Sequence, residues 1–510
     1  MQENRLVESL VEKGLLKRDI VDFVARIAKV TGASLSDVIV GQGLVSEEDV
    51  YREIASISGT GFLPELEDNL IEMNPRKPYT IEDVKIMRTY RVLPLTGRRL
   101  AVCSPESARK VFVKFGMRTP VVVPPTVLFS SILKMLLRMY EGTLDDFADE
   151  EKMISNASFL VDVIIAQAIT ERATDIHFEA SDPCYVRFRI DGELVPQFSY
   201  GRNLHRYIAN IILMRSLGNP SDEQRFDDAS FEYELSPTMR VPIRVSKAPT
   251  SEGPGIVLRI IRRDYFFART LSDLGFLEGQ VEVLRRIISR PHGALFVCGP
   301  TGSGKTTTLY ALVNEIKDFS IKIMSIEDPI EIVMPLVEQV QVNPQAGITF
   351  DSALKYFLRR DPDVIIIGEI RDPETAKIAM DAAMTGHLVL STIHANTVFD
   401  VLTRLHDFGV SYRKMSSLLG IVNQRLVRMI CRRCSGRGCE RCLNTGRYGR
   451  TAVAEILECT PELRRALYDE DPSAFARIAV EEGFKQITAI VHDYVERGLV
   501  APEDAEAVGI

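Results

Sequence analysis

Hydrophobic and polar positions recur along this chain in two rhythms, and the changes of rhythm mark its organisation. Over residues 1–55 the apolar positions fall at helical spacing, Leu6, Leu10 and Val11, then Ile20, Phe23, Val24 and Ile27, with Gly14, Gly32 and Gly43 as punctuation. That spacing predicts a small helical module. Residues 60–140 mix short β-like runs (Leu100–Cys103, Val121–Val123) with a helical ending, Val127–Tyr140, and predict a compact α/β module. The stretch Glu141–Glu151 holds six acids and no base, which predicts a solvated linker. Residues 152–268 begin as helix and continue as β-rich alternation at Tyr185–Ile190, Phe231–Leu235, Val241–Val245 and Ile256–Ile261, a second α/β domain. Over 269–430 helices and apolar runs alternate, as in a parallel sheet with crossover helices. Residues 443–510 read as mostly helical and charged.

Composition narrows the picture. A chain of 510 residues suits three or four domains, and 45% hydrophobic with 26% charged residues excludes a mostly disordered or low-complexity protein. Lys and Arg number 62 against 70 Asp and Glu, a net charge of −8, so no global basic field draws the chain to nucleic acid. The most apolar window, Pro120–Leu137, is broken by Pro124 and Pro125 and carries Lys134, which argues against a membrane span. The N-terminus has acids where a signal peptide needs an apolar core, so a cytoplasmic location is expected, with any membrane association made through a protein partner.

The clearest chemistry follows the apolar run Leu295–Cys298. Gly299-Pro300-Thr301-Gly302-Ser303-Gly304-Lys305-Thr306 matches G-x-x-x-x-G-K-[ST] between a strand and the helix-compatible Thr307–Lys317. Glycines there let main-chain N–H groups curl around phosphate oxygens at a helix N-terminus. Lys305 supplies a cation to the β- and γ-phosphates, and the Thr306 hydroxyl can ligate Mg²⁺. Three more apolar runs end in polar groups: Ile323–Ile326 in Glu327, Val364–Ile367 in Gly368-Glu369, and Leu388–Leu390 in Ser391-Thr392-Ile393-His394. Ligands bind outside the carboxyl ends of parallel strands, where these groups would gather. Glu369 is a Walker-B-like acid able to hold hydrated Mg²⁺ or orient water, and Glu327 is the other candidate for activating water. His387 and His394 would sense the γ-phosphate or bond within the sheet edge.

Four of the eight cysteines, Cys431, Cys434, Cys439 and Cys442, form C-x-x-C-x₄-C-x-x-C, the ligand count and type of a structural tetrahedral zinc site. Gly436 and Gly438 permit the tight reversal between the pairs. Between Arg425 and Arg450 lie eight arginines and one acid, Glu440, a patch that contacts phosphate or an acidic partner, or that balances thiolates and acidic neighbours.

Gly-Pro-Thr-Gly-Ser-Gly-Lys-Thr-Thr-Thr-Leu-Tyr (299–310), Ser-Ile-Glu-Asp-Pro-Ile-Glu (325–331), the Leu-Arg-Arg-Asp-Pro-Asp to Gly-Glu-Ile-Arg-Asp stretch (358–372) and Thr-Gly-His to Ile-His-Ala-Asn (385–396) resemble the Walker A, Asp, Walker B and His boxes of the bacterial type II secretion and type IV pilus assembly ATPases. Residues 173–179, 187–194 and 244–246 resemble the PAS-like domain that precedes them. The resemblance implies an α/β multidomain chain: a RecA-like ATPase core over 269–430, a PAS-like domain over 152–268, a docking region over 1–140, a Cys₄ zinc module at 431–442 and a helical C-terminus. It implies a cytoplasmic homo-hexamer on an inner-membrane platform protein, using ATP and Mg²⁺ to drive pilin or pseudopilin assembly. ATP would lie between the PAS-like and RecA-like domains, with Gly299 to Thr307 as the loop and Arg189 and Arg244 neutralising phosphate, neighboured by Arg187, Arg240 and Arg259. The Cys₄ motif favours assembly or secretion over retraction.

Departures from the family pattern are Asn396 where Asp is usual, Phe226–Ser230 in place of a stretch ending in Gly-Arg, and Pro254 where Glu is common. The segment from Arg5 to Gly14 resembles half of a cyclic di-GMP motif, but position 7 is Val where Gly is expected, and Ser34–Gly43 lacks the Arg and Gly of the second half. Cyclic di-GMP binding is therefore not expected. Two other classes stay in view: a nucleic-acid translocase, from the P-loop beside the Cys₄ and arginine cluster, and a nucleotide-gated scaffold without hydrolysis, from Asn396 and the missing arginine.

Overall fold

The computed structural model describes residues 2–31, 34–41 and 44–67, most positions from 70 to 135, and 150–217, 226–236, 239–261 and 270–507. Gly32, Gly43, most of Val127–Tyr140 and residues 141–149 of the acidic stretch lie outside that set. The chain divides into two compact units, Met1–Ala268 and Arg269–Ile510.

In the first unit, helices Gln2–Glu12, Val21–Thr31, Leu35–Gly41 and Glu47–Ser58 pack through Leu10, Val24, Ile39 and Val50, all fully buried. The last of these helices starts at Ser46, whose side chain accepts from the Asp49 N–H, and stops at Gly59 in the left-handed conformation. Glu53 on its inner face accepts from Ser9 at 2.5 Å and pairs with Lys13, so two residues of the segment Arg5–Gly14 are engaged inside the helical module. Next come β1 (Gly61–Phe62), β2 (Val92–Leu95), β3 (Arg99–Val102) and β4 (Thr119–Val122), ordered β1-β4-β3-β2.

Residues 150–260 build a six-stranded antiparallel sheet from β5 (Ala173–Glu179), β6 (Cys184–Ile190), β7 (Glu193–Tyr200), β8 (Asp227–Ser236), β9 (Met239–Thr250) and β10 (Gly253–Ile260), ordered β7-β6-β5-β10-β9-β8. Helices Glu150–Thr170 and Arg202–Leu217 pack against it. The period-2 alternation sorts the side chains into two faces. Ile176, Phe178, Val186, Phe188, Ile243, Val245 and Leu258 are buried on one. Asp175, Arg189, Arg259 and Arg244 stand in register on the other.

The second unit holds one seven-stranded sheet: β11 (Gly293–Cys298), β12 (Ile323–Glu327), β13 (Val337–Gln341), β14 (Val364–Ile370), β15 (Leu388–Ile393), β16 (Leu418–Ile430) and β17 (Arg447–Glu458). Its order is β13-β12-β14-β15-β11-β16-β17, parallel throughout except for the β16–β17 pair. All residues of β11, β12 and β15 are buried, as expected of strands covered by helices on both faces. Each fully buried Leu, Ile, Val or Phe contributes about 1.5–3 kcal/mol.

One expectation is corrected here. Residues 443–510 do not begin as helix: Arg447–Glu458 is a strand that extends the sheet past residue 430. Thr451–Ala454 is buried on both faces, so it lacks period-2 alternation, and a short apolar run of that kind does not distinguish helix from strand. Helices Pro461–Tyr468, Pro472–Glu481, Ile487–Glu496 and Pro502–Ala507 follow.

Candidate active site

The loop Gly299–Gly304 leaves the carboxyl end of β11 and turns directly into helix Lys305–Ile316. Gly299, Gly302 and Gly304 have φ of 142°, 77° and 85°, conformations that suit glycine. Space is also exacting at Gly299, where a Cβ would stand 2.4 Å from the Gln424 carbonyl oxygen. Thr301 and Gly302 are exposed at the loop tip, while Thr306 and Thr307 are half-buried in the first helical turn. Lys305 folds back over the loop, its Nζ donating to the carbonyls of Gly299 at 3.0 Å and Pro300 at 2.9 Å. Burial draws the Lys305 pKa below its usual value, the Arg425 charge adds to that, and Glu369 opposes it.

Glu369, at the tip of β14, pairs with Arg371 and stands 3.7 Å from His394 Nε2. Arg371 also reaches Asp328 at 3.8 Å. Burial, then the Lys305 charge, holds the His394 pKa below its usual value, so the imidazole is neutral at pH 7. Lys305, Glu369 and His394 thus form one electrostatic group. Glu327, on the neighbouring strand and only 4% exposed, accepts three hydrogen bonds: from Tyr310, from Ser325 at 2.7 Å and from Gln339 at 2.9 Å. Burial and the Glu327 carboxylate push the Tyr310 phenol far above its usual pKa, keeping it a donor. A Cβ on Gly368 would lie 3.3 Å from the Glu327 Cα, which sets the two acid-bearing strand ends side by side.

His387 is not in this group. It precedes β15, its carbonyl accepts from Gly293 at the start of β11, and its Nδ1 lies 3.1 Å from the Ala382 carbonyl. The loop begins at the other end of β11, five residues further on, about 17 Å along the strand. Within one subunit His387 bonds at the sheet edge opposite this loop. Its motif spacing to His394 is right, but a parallel strand carries its two ends to opposite edges.

The arginines of the first unit are organised as a row. Asp175, buried, lies between Arg259, at 2.8 Å, and Arg189, at 3.9 Å, and Arg244 follows Arg259 in register on β9. Arg189 also donates to the Gly192 carbonyl at 3.0 Å, and Asp191 pairs with Arg172 instead. Sequence reading missed Tyr310, Arg371 and Gln424. The first two lie inside the quoted motifs, and Asn423-Gln424-Arg425 is a polar triplet interrupting the otherwise apolar run Leu418–Val427.

The family model for "Type II/IV secretion system protein" matches residues 149–507. The chain belongs to that family of secretion and pilus-assembly ATPases. It is 31% identical to the type II secretion system protein E of Xanthomonas campestris, the match covering 91% of each chain. It is also 31% identical to the type IV pilus assembly ATPase PilB of Thermus thermophilus, with 95% of this chain matched to 64% of that longer protein. A crystal structure of the pilus retraction motor PilT with bound ADP is similar at 27% identity and a TM-score of 0.51, covering 68% of this chain and 96% of that one. Among the described residues no helix is long and apolar enough to cross a membrane.

The connection between β16 and β17 carries a second cluster. The sulfurs of Cys431, Cys434, Cys439 and Cys442 all lie within 4.8 Å of one another, with neighbouring separations of 3.8, 3.8 and 3.6 Å. Four thiolates about 2.3 Å from a tetrahedral Zn²⁺ would be about 3.8 Å apart, so the residues fit the ion. Main-chain N–H groups of Gly438 and Cys439 donate to the sulfurs of Cys434 and Cys442, each at 3.2 Å. Burial opposes ionisation of Cys434, but the Gly438 N–H and the neighbouring thiols outweigh it and bring its pKa to about 7. Four of the eight arginines around the cluster are engaged within the unit as follows: Arg428 and Arg447 on the buried Asp504, Arg441 over the Tyr448 ring, and Arg425 on Asn423 and the Asn396 carbonyl.

Proposed function

We propose that this chain is the motor subunit of a pilus-assembly or type II secretion machine, hydrolysing ATP to drive pilin or pseudopilin assembly as a cytoplasmic homo-hexamer docked on an inner-membrane platform protein. The observation that carries the reading is the convergence of Lys305, Glu369 and His394 on a glycine loop at one sheet edge, with Glu327 locked on the adjacent strand. In this reading Gly299 to Thr307 receive the triphosphate. Thr306 and Glu369 would hold Mg²⁺, which would neutralise developing phosphate charge. Lys305 exchanges its two carbonyl partners for phosphate oxygens, and the neutral His394 reports on the γ-phosphate. Glu327, fixed by three donors, orients the attacking water. Arg189 and Arg244 neutralise phosphate charge, and a zinc ion on the four cysteines fixes the hairpin that leads into the C-terminal helices.

The experiment is steady-state ATP hydrolysis by the full chain with and without Mg²⁺, and with single- and double-stranded DNA at low salt. Slow Mg²⁺-dependent turnover that rises on hexamerisation and ignores DNA supports the motor. Stimulation by DNA would make it a translocase, and tight ATP binding without phosphate release would make it a scaffold.

A further inference from the structure

The glycines of the phosphate loop owe much of their tight space to a residue outside every recognised box. Gln424 lies mid-strand in β16, 1% exposed, and both ends of its carboxamide are used. Its Nε2 donates to the Ser303 carbonyl at 2.6 Å, and its Oε1 accepts from Thr308 Oγ1 at 2.8 Å. Its backbone oxygen is the atom that a Cβ on Gly299 would meet, and its Nε2 would be 3.1 Å from a Cβ on Gly304. The Ser303 hydroxyl inside the same turn is buried without a hydrogen-bond partner. The next residue, Arg425, brings its charge to bear on Lys305. One side chain therefore grips the loop and the first turn of the helix behind it.

We propose that Gln424 is a positioning residue for the phosphate loop, its carboxamide holding the loop amides in the curvature that receives phosphate. The inference rests on the reading of the loop as an ATP site. Its chemical core is the polarity of the group. Ser303 O needs a donor and Thr308 Oγ1 an acceptor, and a carboxamide offers one of each. A carboxylate offers two acceptors and would oppose the Ser303 carbonyl, whereas a protonated carboxyl of the same shape restores both bonds.

The test is ATP affinity of the full chain, wild type and Gln424→Glu, from about pH 8 to about pH 5.5, read as the ratio of the two. At the alkaline end the variant should bind about 30-fold more weakly, because a buried acceptor pair is turned against a carbonyl. On acidification the ratio should narrow about fivefold or more, since burial raises the pKa of the introduced carboxyl, while Lys305 and Arg425 are held on main-chain carbonyls nearby. His394, near Lys305, is the same in both proteins and cancels in the ratio. Thr308→Val, which keeps the shape and deletes the donor to Oε1, should weaken ATP binding about fivefold at every pH and carries the test if Gln424→Glu does not fold. A ratio that stays flat with pH, or Thr308→Val binding like wild type, overturns the assignment of Gln424 while leaving the ATP site intact. Wild-type protein that binds no ATP overturns both.

Discussion

Tyr310→Phe is the most informative single perturbation of the candidate site. The change removes one hydroxyl and leaves the ring, so no cavity opens around a side chain that is 2% exposed. What it deletes is the acceptor of the Glu331 main-chain N–H and the donor to one oxygen of Glu327, whose other oxygen keeps Ser325 and Gln339. A hydrogen bond to a charged group contributes about 1.5–3 kcal/mol, and the carboxylate it leaves is buried, so the expected loss of stability is about 2 kcal/mol. For a unit of this size that corresponds to a fall in Tm of roughly 4–8 °C, measurable by calorimetry. If Glu327 orients water, the freed carboxylate should also lower kcat about tenfold or more with KM for ATP little changed. A double-mutant cycle with Glu327→Gln should return a coupling of about 1–2 kcal/mol. Additive stabilities, or a kcat within twofold of wild type, would refute the claim that Tyr310 organises the Glu327 carboxylate for the reaction.

Further outcomes follow from the same geometry. His394→Ala should lower kcat about tenfold or more, read by steady-state hydrolysis, whereas His387→Ala should leave ATP affinity of the single subunit unchanged, read by titration with a fluorescent analogue. Metal analysis should find about one zinc per chain, lost on Cys439→Ser. Gly446→Ala should lose it as well, because its Cβ would stand 2.3 Å from the Gly436 oxygen at a φ of 71°. Burial raises the Glu53 carboxyl, but Lys13 and Ser9 outweigh it and set its pKa below the usual value. Its contribution to stability is therefore complete above the unfolded value of about 4.3 and lost as the pH falls through the lower folded value. Glu53→Gln should flatten the acid limb of the thermal-melt profile there.

Local features were the ones legible in the sequence. The phosphate loop could be read because strand, glycines, lysine and helix are contiguous, and the cysteine cluster because its spacing encloses its own geometry. The tips of β12 and β14 could be read because each apolar run ends in its acid. Features set by register could not be read. His387 and His394 share one motif, yet strand direction separates them. Asp175 is bracketed by Arg189 and Arg259 only once three strands are aligned. Arg447–Glu458 was hidden because burial on both faces erases alternation. Gln424 acts across more than a hundred residues of chain, on Ser303 and Thr308, with nothing local to mark it beyond its polarity.

The most direct measurement is a crystal structure of the full chain with Mg²⁺ and a non-hydrolysable ATP analogue. The account predicts phosphates wrapped by the amides of 299–306, Lys305 Nζ moved from the Gly299 and Pro300 carbonyls onto phosphate oxygen, and Glu369 turned from Arg371 toward the metal. Analogue bound elsewhere, or a loaded loop with Glu327 and Glu369 both facing away from the ion, would contradict it.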